Sequence, residues 1–103
     1  MERIEKLKQY LIASPDDAFL RHALALEYIK AGNDAEARSL FEAILAHDRD
    51  YTGSYYHLGK LLERQQAFDE AIQVYEKGIE ACERTGDKHA LSELRMAKEE
   101  IEE

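Results

Sequence analysis

Tryptophan is absent from this 103-residue chain, proline and cysteine occur once each, and glycine occurs five times. Valine appears once and threonine twice. So little proline and glycine excludes a loop-rich or collagen-like design. Few β-branched residues argue against a sheet, whose pleated surface favours them. The single Cys82 cannot close an internal disulfide, and no cysteine or histidine pair has metal-ligand spacing. Long apolar runs are also missing. The opening stretch MERIEKLKQYLIASPDD mixes its apolar residues with charges, so it reads neither as a secretory signal nor as a membrane span. A reducing, cytoplasmic setting is the expectation.

Positive charge is the other shortage. Fourteen basic residues stand against 22 acidic ones, for a net charge of −8. Nucleic-acid binding needs clustered Lys and Arg to neutralise phosphates, and an anionic membrane surface makes the same demand. No such cluster is present, so neither nucleic acid nor membrane is expected as a partner. An acidic, solubilising surface accounts for the charge.

What remains is helix-forming material. Hydrophobic residues make up 45% of the chain, enough for a core. Ala, Leu, Glu and Lys are abundant, and each favours helix. The predicted fold class is all-α.

The chain matches itself when shifted by 34 residues. Leu7, Phe41 and Tyr75 fall on this interval, as do Leu11, Leu45 and Ile79. Leu24 pairs with Leu58, Ala25 with Gly59, Tyr28 with Leu62, and Ala37 with Ala71. Large residues match large ones and small match small, which marks a stacked array of repeated units.

Breaks recur on the same period. SPDD at 14–17 combines the proline with capping residues, and HDRDYTGS at 47–54 repeats it, with Asp50 or Thr52 as cap. AGNDAEA at 31–37 places Gly32 and Asn33 at a helix end and Asp34 as the next cap. QQAFDEA at 65–71 repeats that break with Gln66 in place of the glycine, and Gly86 with Asp87 forms the last one. Six helices are predicted, near 2–13, 17–31, 34–47, 52–65, 68–84 and 87–101. Each has apolar residues at three- and four-residue spacing, hence one face to bury.

These residues resemble the tetratricopeptide repeat family. Tyr55, Leu58, Gly59, Leu62, Ala71 and Tyr75 follow its pattern in one unit, and Leu24, Ala25, Tyr28, Ala37 and Phe41 in the other. Arg21 stands where an aromatic is usual. Of the terminal prolines only Pro15 is present, with Arg49 and Glu83 at the equivalent sites. The resemblance implies an α-α superhelix, a solenoid of six antiparallel helices, in a single domain over 1–103. Within it lie a half-repeat helix at 2–15, repeats at 18–51 and 52–85, and a capping helix at 87–101.

Members of that family bind peptides or helices of other proteins in a concave groove lined by the first helix of each pair. Carried over position by position, the groove residues are Phe19, His22, Leu26, Ile29 and Lys30, then Gly53, Tyr56, Lys60, Glu63 and Arg64. On the last helix Ala90, Leu94 and Lys98 are the equivalents. Lys60, Arg64 and Lys30 read as a basic patch suited to an apolar anchor beside an acidic neighbour. Leu26 and Ile29 carry a second reading, simple packing against the adjacent helix. The Lys and Asn clamp by which one subclass grips chaperone tails is missing, so no chaperone-tail partner is expected.

Other chemistry finds no support. His22, His47, His57 and His89 show no ligand spacing, Cys82 reads as a small core residue, and AGN and TGD are helix caps rather than phosphate cradles. The tail EEIEE sets carboxylates against the macrodipole and is expected to fray. No catalytic residue, metal or cofactor is predicted, and the chain is not read as an enzyme. The expected role is a protein–protein interaction module, an adaptor or scaffold with a protein or peptide partner. The alternative is a self-assembling homodimer, for which Ile12, Met96 and Ile101 would supply an apolar strip.

Overall fold

The computed structural model describes residues 2–103; Met1, the first residue of the predicted domain, lies outside them. Six α-helices occupy the chain: α1 (Glu2–Ala13), α2 (Ala18–Lys30), α3 (Asp34–His47), α4 (Gly53–Arg64), α5 (Phe68–Thr85) and α6 (Lys88–Glu102). Each end falls within one residue of the sequence reading, and no strand occurs among the described residues. The fold is an all-α helical repeat. Contacts divide it into a first unit ending at His47 and a second running Asp48–Glu103.

The helix ends explain why the breaks recur. After α2, Gly32 takes φ 78°, Asn33 N–H donates to Tyr28 C=O at 2.8 Å, and Gly32 N–H donates to Ile29 C=O at 3.0 Å. Those two bonds satisfy carbonyls that the helix end would otherwise leave open. After α4 the same pair recurs, Ala67 to Leu62 and Gln66 to Glu63, both at 2.9 Å. Here Gln66 holds the left-handed conformation, at φ 62°, which costs a residue with a Cβ about 1–2 kcal/mol.

Among the described residues three caps act at the N-termini. Asp17 accepts from Leu20 N–H at 3.0 Å, and Asp87 accepts from Ala90 N–H at 3.1 Å. The expected cap at Asp34 is instead Asn33, whose side chain accepts from Glu36 N–H at 3.4 Å, so Asn33 closes one helix and opens the next. Neither expected cap of α4 acts as one. Thr52 makes no capping bond; its hydroxyl donates to Asp87 at 2.6 Å. The Asp50 carboxylate takes two bonds from Arg84, at 2.8 and 3.0 Å. Tyr55 completes this clasp by donating its hydroxyl to Arg49 C=O at 2.5 Å.

In the first unit α2 packs against both α1 and α3. Ile4, Leu7 and Leu24 form a buried cluster with Leu11, Leu20, Ala23, Tyr28 and Leu40 around it. Ala25, Ala37 and Phe41 are fully enclosed. Arg21, at the usual aromatic site, is half-buried and bonds Asp16 at 3.2 Å.

In the second unit α5 packs against α4 and α6, and α4 also touches α6. Tyr55, Leu58, Leu61, Leu62, Ala71, Tyr75, Ala81, Cys82, Leu94 and Ala97 make the core. Gly59 faces the Tyr75 ring, and a methyl there would stand 2.1 Å from Cε1. Gly78 matters equally: a methyl on it would meet Tyr55 Cβ at 2.7 Å and Leu94 Cδ1 at 2.8 Å. Its counterpart one period earlier is the large Ile44. Cys82 lies in this core, and burial raises its thiol pKa, which suits a packing residue rather than a nucleophile. Helix α6 continues to Glu102, where Lys98 Nζ approaches that carboxylate at 3.8 Å. Among the described residues no helix is long and apolar enough to cross a membrane.

Candidate functional site

The sequence-predicted groove residues fall on α2 of the first unit and on α4 and α6 of the second. On α2, Phe19 is 72% exposed, while His22, Leu26 and Ile29 are half-buried. His22 rests edge-on against the Phe41 ring, with centroids 5.6 Å apart at 64°. That contact explains its partial burial and fixes its ring. Lys30 is exposed, pairs with Glu27 at 3.2 Å, and borders a shallow depression of about 260 Å³ between α1 and α2. Glu2, Arg3 and Ile4 face it across that depression.

On α4, Tyr56 and Lys60 line a groove of about 290 Å³ whose other wall is α6. Glu93, Met96, Ala97 and Glu100 form that wall. Met96 is 62% exposed, a large apolar side chain left open to solvent beside an aromatic ring. Lys60 Nζ stands 5.7 Å from the Tyr56 ring centroid and within 3.6 Å of Glu63 and 3.7 Å of Glu100. Two carboxylates therefore offset its charge, and it does not extend a basic patch. Arg64 is exposed at the end of α4, outside this lining.

Beneath the groove, the Tyr75 hydroxyl donates to the Glu63 carboxylate. Burial first, and then this bond, push the phenol pKa far upward. One period earlier the same two positions hold Phe41 and Ile29, and Tyr56 and Lys60 correspond to His22 and Leu26. The hydroxyl and the carboxylate are gained together. At corresponding positions the helix face is thus mainly apolar on α2 and polar on α4.

On α6 the sequence reading named the wrong face. Leu94 is fully buried against Gly78, and Lys98 pairs with Glu76 of α5 at 3.4 Å. Ala90 is half-buried and does not line the groove. Helix α5 has 18 residues against 14 in α3, while the link after it has two against the five before α4, so α6 starts one residue later than the 34-residue period sets it. Its buried stripe is shifted by two, so that buried Leu58 and Leu61 correspond to buried Leu94 and Ala97 at an interval of 36 rather than 34. At that interval Tyr56 and Lys60 align with Ser92 and Met96. The buried stripe of α6, read on its own, would have given this phase.

Among the described residues no group of three or more His, Cys, Asp or Glu side chains could hold a metal ion. His57, half-buried beside Tyr56, has its pKa lowered by burial, with Glu93 opposing.

Comparison with known proteins follows the same lines. The family profile described as Tetratricopeptide repeat matches residues 28–81. A TPR repeat-containing protein of Pseudomonas aeruginosa is 30% identical over 91 residues, covering 88% of this chain and 87% of that protein. A crystal structure of a tetratricopeptide repeat domain protein from Salinibacter ruber is 48% identical with TM-score 0.81, over 84% of this chain and 96% of that one. The first TPR of Spaghetti (RPAP3), bound to the HSP90 peptide SRMEEVD, is 25% identical with TM-score 0.76, over 97% of this chain and 78% of its own. With the size-matched pairs, the recurring helix ends and these likenesses in agreement, the chain belongs to the tetratricopeptide repeat family.

Proposed function

We propose that the chain is a protein–protein interaction module, an adaptor that receives a peptide segment of a partner against the α4/α6 groove. The carrying observation is Met96, 62% exposed in a groove that it shares with Tyr56 and Lys60. Leaving so large an apolar group partly in water forgoes about 1–2 kcal/mol of burial, which a bound segment would recover in part. Tyr56 adds a ring with a polar tip, the kind of anchor that interfaces favour. That the first TPR of Spaghetti (RPAP3) is bound to an HSP90 peptide supports a peptide as the ligand. On α2, exposed Phe19 with half-buried His22, Leu26 and Ile29 offers the corresponding helix face in the first unit.

Peptides selected by display against the folded chain test this reading. They are expected to lose binding to a Tyr56→Glu, Met96→Glu double variant whose helicity and melting are retained. Selected peptides that hold the folded double variant as tightly as the parent would refute the groove.

A second reading, self-assembly into a homodimer, is favoured by Ile12 and Tyr10 of α1, 80% and 57% exposed. Light scattering across micromolar to near-millimolar concentrations separates the two. A monomer throughout supports the adaptor reading, and a stable dimer that Ile12→Lys disperses supports the other.

A further inference from the structure

The ionisable groups of the α4/α6 groove are not balanced. Among the described residues Lys60 is its one cation, facing Glu93 and Glu100 across the lining and Glu63 along α4. Its ammonium already lies within 4 Å of two of those three carboxylates. Glu93 has two histidines near it, His89 at 3.8 Å and His57, whose pKa it raises, and both carry charge only when protonated. The neighbouring cation of α6, Lys98, turns the other way, to Glu76 and Glu102. An acidic ligand would have to pull Lys60 from its partners while approaching Glu93, and like charges brought together at an interface are costly. The net charge of −8 acts in the same direction at longer range.

Resting on the docking reading above, we propose that the groove selects a basic segment with one apolar side chain. A lysine or arginine of the partner meets Glu93 and Glu100, and the apolar group lies on Met96 against the Tyr56 ring. The Tyr56 face, which already attracts the Lys60 ammonium, accommodates a second cation at its open edge.

Three short capped peptides that differ only in the residues flanking a central leucine (lysine, glutamate or serine) test the charge. Each is titrated into the full chain while the backbone amides of α4 and α6 are followed by NMR. The lysine peptide is expected to bind roughly tenfold tighter than the glutamate one, as two surface ion pairs would give. That margin should shrink as salt rises. Glu93→Lys, a change at an exposed site, should narrow or reverse it. A glutamate peptide that binds as well as the lysine one, or a preference unmoved by Glu93→Lys, overturns the charge assignment and leaves the groove standing. Shifts from none of the three peptides, or shifts confined to helices other than α4 and α6, overturn the docking reading itself.

Discussion

Gly59 of α4 leaves the space that the ring of Tyr75 on α5 fills: a methyl there would lie 2.1 Å from Cε1 and 2.6 Å from Cζ. The ring is wholly buried and its hydroxyl is held by Glu63, so it has little room to retreat. Two effects then compete in Gly59→Ala. Helix propensity gains about 1 kcal/mol, while overpacking costs about 1–3 kcal/mol. The clash wins. Gly59→Ala should lower stability in chemical denaturation, Gly59→Val should lower it further, and Tyr75→Leu should relieve part of the loss. A Gly59→Val protein that unfolds at the parent's midpoint would show that α4 and α5 do not pack as described.

The Tyr75–Glu63 bond should behave as a unit. Tyr75→Phe removes one hydrogen bond to a charged group and should cost about 1–2 kcal/mol. Adding Glu63→Ile reproduces the pair found one period earlier, Phe41 with Ile29, and should recover most of that loss. A double-mutant cycle over the four proteins measures the coupling. Burial of the phenol, and then this bond, also set a pH limit. The folded state raises the phenol pKa, so this stability is present below the ordinary tyrosine value and lost as pH rises past about 10. Alkaline unfolding should therefore be shallower in Tyr75→Phe.

Much of this arrangement was legible in the letters because the repeat conserves size: Ala25 with Gly59 and Phe41 with Tyr75 fall on one interval and occupy one kind of packing site. Gly78 was not legible. Its register partner Ile44 is large, and only the position of the Tyr55 ring shows why a glycine is needed. The phase of α6 was hidden by the changed lengths of α5 and of the link after it, which a fixed interval of 34 cannot register. Caps were ambiguous wherever two polar residues adjoined, as at Asn33–Asp34, because either side chain can serve and geometry chooses.

Gln66 is a place where the repeat can be improved. It holds the left-handed conformation that glycine adopts at Gly32 without strain. Gln66→Gly should raise stability by about 0.5–1 kcal/mol, the left-handed penalty less the extra entropy glycine gives the unfolded chain. Gly32→Ala should lower it by about 1 kcal/mol. Denaturant midpoints of the two variants test both signs. A loss in Gln66→Gly would mean that its side chain contributes a contact worth more than the strain.

His57 gives the acid side of the profile. Burial lowers its folded pKa, so the neutral ring is favoured in the fold. Its contribution is fully present above about pH 6.5 and is lost as pH falls below that, when the unfolded chain takes up the proton first. Stability should decline from pH 7 to pH 5, and His57→Gln should flatten that decline. An unchanged slope would place the histidine in water.

The central claim is that a peptide docks on α4 and α6. Met96 is one of only two methionines, and its labelled methyl gives a signal inside the groove itself. The account predicts a saturable shift of that signal on adding a display-selected peptide, with the same midpoint as binding measured by calorimetry and no shift in Tyr56→Glu. Calorimetric binding with an unmoved Met96 methyl would contradict it and send the search for the docking face elsewhere on the chain.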